Sequence, residues 1–255
     1  MSSEIFIRNP HSILQALKNR PSEVLEIAFP KEKPDVVWDQ IESLAARNKI
    51  RLAQSDSSGP RNSRPSSSRR GEKSETRFVG RESGHGALIK QKSGIPIETL
   101  FEDVDGSSRG VWLALDCLQD PQNLGAIFRS AAFFGVKGII ITTERSAPMT
   151  STVYDISCGG VETVPFVNAI NLKQALDKSK EAGLWLLGTS EHSKNPLHKI
   201  EKDRAWLVVL GNEEKGIRRL TEEACDMMCA ISPKGDSVTS LNVSVATGVL
   251  LAHLT

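Results

Sequence analysis

Leu210-Gly-Asn-Glu-Glu-Lys-Gly-Ile-Arg-Arg219 continues directly from the apolar run Trp206-Leu-Val-Val-Leu210, and the pair decides how this chain is read. A strand that is apolar at every position is buried on both faces, as in parallel sheets covered by helices. A polar, glycine-bearing turn at its carboxyl end lies where such sheets hold ligands. The same pattern repeats outward from there. Val111–Leu115, Gly138–Ile141, Leu184–Leu187 and Met228–Ile231 read as further strands. Helical spacing covers Leu124–Phe134, Leu172–Ala182, Leu220–Cys225 and Val243–His253. Alternation of this kind predicts an α/β unit with a parallel sheet. Its polar loops cluster late, at Gly188–Glu191, Gly211–Gly216 and Ser232–Ser240.

Two common nucleotide sites are excluded by these loops. The first strand–helix turn, Asp116–Gly125, is not the GxGxxG of a dinucleotide fold, and Ile217-Arg218 follows Gly216 where a phosphate loop needs Lys-Ser/Thr. A cofactor held by backbone groups of the three late loops fits better.

The N-terminal part reads as a small α/β unit. Ile13, Leu14 and Leu17 share a helix face after Pro10, and Val24–Ala28 alternates as a strand. A helix over Val36–Ala46 places Val37, Ile41 and Leu44 at helical spacing, Ile50–Ala53 is a strand, and Gly86–Ile89 completes the unit. Between them, residues 55–83 form a basic insertion rich in Ser and Arg, with Arg61, Arg64, Arg69, Arg70, Lys73, Arg77 and Arg81. Such a segment buries too little to offset its ordering entropy and is expected to be disordered. Its two readings are a solvated insertion and a basic arm on phosphates. The expected organisation is residues 1–54 plus 84–92 as the small unit, the insertion, a polar linker over 93–110, and the parallel-sheet unit over 111–255.

Several polar residues stand out in the larger unit. Asp120 and Asn123 suit turn and cap roles, as do Ser240 and Asn242 before the closing helix. Arg129 sits among Ile127, Phe128, Ala131 and Ala132, and a cation there calls for an anion, either a phosphate or Glu213. Ser244, Ala246, Thr247 and Gly248 predict a closing helix packed closely against its neighbours.

Asp120-Pro-Gln-Asn-Leu-Gly-Ala-Ile-Phe-Arg-Ser130, Leu210–Arg219 and Ser240-Leu-Asn-Val-Ser-Val-Ala246 resemble, in order and spacing, the three motifs of the SpoU family of RNA ribose 2′-O-methyltransferases, within the SPOUT superfamily. The likeness covers about 111–255. Arg145-Ser-Ala-Pro148 and Cys158–Pro165 look like the subgroup that methylates a guanosine of large-subunit ribosomal RNA, which has mitochondrial members. The resemblance implies S-adenosylmethionine as methyl donor, no metal, a deep C-terminal trefoil knot, an obligate homodimer, and a ribosomal-protein-like RNA-binding unit ahead of the knot. Carried over by motif, the catalytic positions are Asn123, Arg129, Glu213, Ser240 and Asn242. The cofactor positions are Gly188, Thr189, Leu210, Gly211, Asn212, Gly216, Ile231, Pro233 and Leu241. The expected RNA partner is ribosomal, with transfer RNA and a non-catalytic assembly factor as alternatives.

Composition is consistent with this and decides little. Across 255 residues, 39% hydrophobic and 25% charged content supports a buried core, and the formal net charge is +1. Cys117, Cys158, Cys225 and Cys229 lack the paired spacing of a zinc site and read as reduced thiols. No apolar run reaches the ~18 residues of a membrane span, so no membrane partner is expected. Met1-Ser-Ser-Glu-Ile-Phe has no apolar signal core, so secretion is not expected, while the basic insertion, absent from compact bacterial members of the family it resembles, makes the mitochondrial matrix the expected location, or otherwise the cytoplasm.

Overall fold

A computed structural model of the chain describes residues 3–30, 35–54, 84–105, 107–212, 215–235, 237 and 240–255. The basic insertion and Glu213 therefore lie outside the described residues. The chain divides into two compact units, Ser3–Gln91 and Lys92–Thr255.

In the first unit, β1 (Glu4–Ile7), β2 (Val24–Phe29), β3 (Arg51–Gln54) and β4 (Gly86–Lys90) form a sheet in the order β1-β4-β2-β3. β4 runs antiparallel to β1 and β2, while β2 and β3 are parallel, joined by α2 (Val36–Arg47). α1 (Pro10–Asn19) starts with Pro10 at its first position, and Asn9 accepts from the His11 and Ser12 amides. Ile7, Ile13, Leu17, Ile27, Trp38, Ile41 and Ile89 are fully buried between sheet and helices. The buried stripe of α2 is Trp38, Ile41 and Ala45, one step from the predicted Val37, Ile41, Leu44, because the large indole takes the inward position. β1 was not predicted, since four residues carry little periodicity.

The second unit begins with α3 (Ile97–Leu100). Its parallel sheet comprises β5 (Gly110–Leu115), β6 (Ile139–Thr142), β7 (Phe166–Ala169), β8 (Trp185–Thr189), β9 (Ala205–Leu210) and β10 (Met227–Cys229), in the order β10-β8-β9-β5-β6-β7. The central β5 and β9 are buried almost throughout, as their unbroken apolar sequences require. One face carries α7 (Leu172–Glu181), whose Leu172, Ala175 and Leu176 join Ala114, Leu207 and Val209 in the core. α4 (Pro121–Phe133) packs against α5 (Ser151–Ser157), α6 (Gly160–Thr163) and α9 (Val243–Leu254). α8 (Arg219–Ala224) lies beside α7.

Three expectations change here. Residues 93–110 are not a plain polar connector: Leu100 and Phe101 are buried in the core, with Ile95, Ile97 and Val104 packed on it. α5, α6 and β7 were not predicted. The helices are short and are separated by Cys158 and Gly159, both in the left-handed region (φ 48° and 95°). The sharp turn seats Gly160 on the α4 backbone, where a Cβ would come within 3.0 Å of the Phe128 carbonyl. Among the described residues nothing lies within 4 Å of a Cβ at Gly248, so the close packing there comes from Thr247, which is buried.

Candidate active site

The site is assembled where β8, β9, β5 and β10 end. Register sets Leu210 beside Leu115, Gly188 beside Val209, and Thr189 beside Cys229, so three loops leave the sheet side by side. A Cβ on Gly188 would fall on the Met228 and Cys225 sulfurs, side-chain ends that would have to shift to admit it. Thr189 is half-buried and its hydroxyl donates to the Val209 carbonyl at 3.1 Å.

The loop after β9 folds back on itself. The Asn212 amide donates to the Gly216 carbonyl at 3.0 Å and the Gly216 amide to the Asn212 carbonyl at 2.9 Å. Gly216 stands in the left-handed region (φ 66°), where glycine has no Cβ penalty. Gly211 is buried beneath this turn, and a Cβ on it would lie under 3.0 Å from Gly216 and Ile217 backbone atoms. Its smallness is therefore a steric requirement.

Residues just past β5 hold this loop at several points. The Asp116 amide donates to the Leu210 carbonyl at 2.8 Å, and Asn212 Nδ2 donates to the Cys117 carbonyl at 3.0 Å. Asp116 is completely buried. Its Oδ2 accepts from the Arg218 amide at 3.3 Å, and Oδ1 lies 2.7 Å from Arg218 Nη2 as an ion pair. Oδ1 has no well-aligned hydrogen-bond donor among the described residues, so the charge pair compensates its burial. The carboxylate raises the pKa of the Arg218 guanidinium above its ordinary value. Burial pushes the Cys117 thiol up, and Asp116 adds to the effect. Neither Asp116 nor Arg218 was singled out from sequence. The available signal was a lone carboxylate closing a continuous apolar strand.

The first and third motifs meet directly. Asn123 is buried in the first turn of α4, and Asn242 Nδ2 donates to its Oδ1 at 2.9 Å across 119 residues. Asn242 Oδ1 meanwhile accepts from the Ser244 and Val245 amides, capping α9. Asp120 caps α4 by accepting from the Gln122 amide, the structural role foreseen for it. Ser240, Leu241 and Pro233 are exposed and Ile231 is half-buried, on the segment joining β10 to α9.

Arg129 stands apart from these contacts. Its side chain is exposed and makes no ion pair or hydrogen bond with any described residue, so no described contact joins it to the Asn pair or to the loops. The expected Glu213 partner lies outside the described residues. Six positions along a helix advance about 9 Å and turn the side chain well away from Asn123.

The sequence profile described as the SpoU rRNA Methylase family matches residues 110–252, more than half of the chain. The chain belongs to the SpoU rRNA methylase family. The 23S rRNA (guanosine-2′-O-)-methyltransferase RlmB of Neisseria meningitidis is 32% identical over 249 residues, 95% of this chain and 91% of that protein. RlmB of Pseudomonas aeruginosa is 41% identical over 159 residues, 62% of this chain and 64% of that protein. The solved SpoU methyltransferase AviRb of Streptomyces viridochromogenes, in complex with the cofactor AdoMet, superposes with a TM-score of 0.72 at 18% identity, covering 98% of this chain and 89% of that one. That last likeness establishes a shared fold. The SpoU match spans every loop described above, from β5 through most of α9.

Proposed function

We propose that the protein transfers the methyl group of S-adenosylmethionine to the ribose 2′-hydroxyl of a guanosine in large-subunit ribosomal RNA. The observation carrying this reading is that the first and third SpoU motifs meet through Asn123 and Asn242, while the second, with its tight Gly211 turn, is held by Asp116 and Cys117 at the end of β5.

The residues present fit the donor. The turn closed over Gly211, too tight to admit a Cβ, is a cradle built of main-chain groups and suits a ligand bound through main-chain hydrogen bonds. Gly188, Thr189, Leu210, Gly211, Asn212, Gly216, Ile231, Pro233 and Leu241 would hold it. When bound, S-adenosylmethionine supplies a methyl group already activated by its sulfonium. The difficulty is then at the acceptor, because a ribose hydroxyl is a poor nucleophile until its proton leaves. A guanidinium, with an ordinary pKa above about 12, is an unsuitable base at neutral pH. Arg129 acts instead as a charged group that stabilises the developing alkoxide and orients the neighbouring phosphate, a role its solvent-facing position allows. Glu213 positions Arg129. Asn123, Asn242 and Ser240 fix the loops and the substrate ribose.

The protein works as a homodimer. α9 is apolar around its circumference, yet Val245 and Val249 are 52% and 40% exposed, beside Leu241 at 48%, and Phe133 of the adjoining α4 is 83% exposed. Such a patch fits a partner surface, and a second copy is the occupant the family favours. A deep trefoil knot is supported by the β8–β9 connection, which hydrogen-bonds Cys229 and Ala230 and whose Ile200 carbonyl meets His253 of α9 at 3.0 Å. The first unit acts as the ribosomal-protein-like RNA-binding element. A mitochondrial-matrix location rests on the Ser/Arg-rich insertion, the relatives compared being bacterial; imaging of a tagged full-length chain tests it.

Incubation with labelled S-adenosylmethionine and unmodified ribosomal and transfer RNA, followed by mapping of alkali-resistant riboses, tests the function. A single guanosine in large-subunit RNA is expected. Label confined to transfer RNA would overturn the substrate, and no incorporation would overturn the enzyme.

A further inference from the structure

Asp116 is fully buried at the end of a strand whose other residues are apolar, a costly place for a carboxylate unless it is paired. Three of its polar contacts reach the end of β9 and the loop that follows. Its amide holds the loop's entry at Leu210, its Oδ2 the exit amide at Arg218, and its Oδ1 the Arg218 side chain at 2.7 Å. The next residue, Cys117, is in the left-handed region (φ 60°), which aims its carbonyl at Asn212 Nδ2 in the middle of the same loop. Entry, middle and exit of the Gly211–Arg218 turn are thus fixed from one dipeptide. Arg218 is the exposed member, with a side chain 53% accessible.

We propose that Asp116 is a positioning residue for the reaction: acting through Arg218, it holds the Gly211 turn in the conformation that receives the methyl donor. This rests on the function proposed above. Asp116 reaches the donor only through the loop, and Arg218 is the link between them. Removal of either therefore loosens the loop and weakens donor binding, while RNA binding, carried by other surfaces, stays.

The experiment measures S-adenosylmethionine affinity by isothermal titration calorimetry and RNA affinity by filter binding, on the full chain. Asp116→Asn and Arg218→Gln are each expected to weaken donor binding at least about tenfold, the scale of a lost charge-assisted contact, with RNA affinity within about twofold. Arg218→Lys, keeping the charge, should recover part of the loss. The double variant should be no worse than the worse single one, because both break one link. If Asp116→Asn fails to fold, the half-exposed Arg218 carries the test. A folded Arg218→Gln protein with wild-type donor affinity would overturn the proposal. So would one whose KM for RNA rises while donor affinity holds, since that is a direct RNA contact. Failure of the wild-type protein to bind the donor at all would remove the function reading itself, a result distinct from either.

Discussion

Replacing Gly211 by alanine is the sharpest test of the donor cradle. The new methyl would fall under 3.0 Å from the Gly216 carbonyl group and the Ile217 nitrogen, all main-chain atoms that cannot rotate aside. The turn has to open, breaking the reciprocal Asn212–Gly216 pair at 3.0 and 2.9 Å. Two backbone hydrogen bonds at about 1 kcal/mol each, with at least ~1 kcal/mol of overpacking, give about 3 kcal/mol. If the donor binds only the closed turn, affinity falls by about a hundredfold at roughly 1.4 kcal/mol per decade. Gly216→Ala is the internal control. No described residue lies within 4 Å of a Cβ there, so the cost is that of a left-handed alanine, about 1 kcal/mol or about fivefold. Calorimetry with S-adenosylmethionine on both variants, alongside thermal melts, decides the matter. Gly211→Ala binding within about twofold of wild type, or less affected than Gly216→Ala, would refute the cradle.

Other perturbations separate capping, electrostatic and thiol effects. Asn242→Ala removes the cap of α9 and the donor to Asn123, so urea denaturation should show a loss of about 1–2 kcal/mol; Asn242→Asp keeps the cap acceptor, so it should restore most stability but not methyl transfer. Arg129→Ala should lower single-turnover methyl transfer by about a hundredfold or more while leaving the melting temperature unchanged, because the side chain is exposed and carries no described contact. Burial pushes the Cys229 and Cys225 thiols up to about 12. The unfolded chain releases these protons near pH 9 and the folded one does not, so stability is full below that pH and declines above it. Between pH 9 and 10 the fully buried Cys229 should contribute a fall of about 1 kcal/mol, which Cys229→Ala abolishes in urea titrations.

Much of the larger unit was legible because its strands are apolar and unbroken. Val111–Leu115 and Trp206–Leu210 have no polar residue to confuse the period, and both lie at the centre of the sheet. The elements missed were those whose structure is tertiary. Ser151–Ser157 and Gly160–Thr163 are too short to show an amphipathic stripe and are held by contacts with α4. Leu100 and Phe101 looked like linker because the core they enter comes from strands far along the chain. At the site, Gly188 and Gly211 carried a visible signal, since a glycine ending an apolar strand has few other uses. The bond between Asn123 and Asn242 was invisible, because each read equally well as a local cap and only folding brings them together. Arg129 drew notice among apolar neighbours, but whether it points inward or outward depends on how α4 is rotated, which residue types alone do not fix.

The order of strands has a consequence for the timing of synthesis. β9 is inserted between β5 and β8, both of which leave the ribosome earlier, and Asn242 must find a partner made 119 residues before it. At the usual elongation rate of about 5–20 residues per second, that interval lasts roughly 6–24 s. For about 1–4 s of it, between completion of β8 and of β9, β5 and β8 exist without the strand that separates them, and their apolar surfaces are open to wrong pairings. Contacts so distant along the chain make for slow folding. The Asn123–Asn242 bond forms only once α9 is made, so a chain cut short before it lacks that join between the first and third motifs.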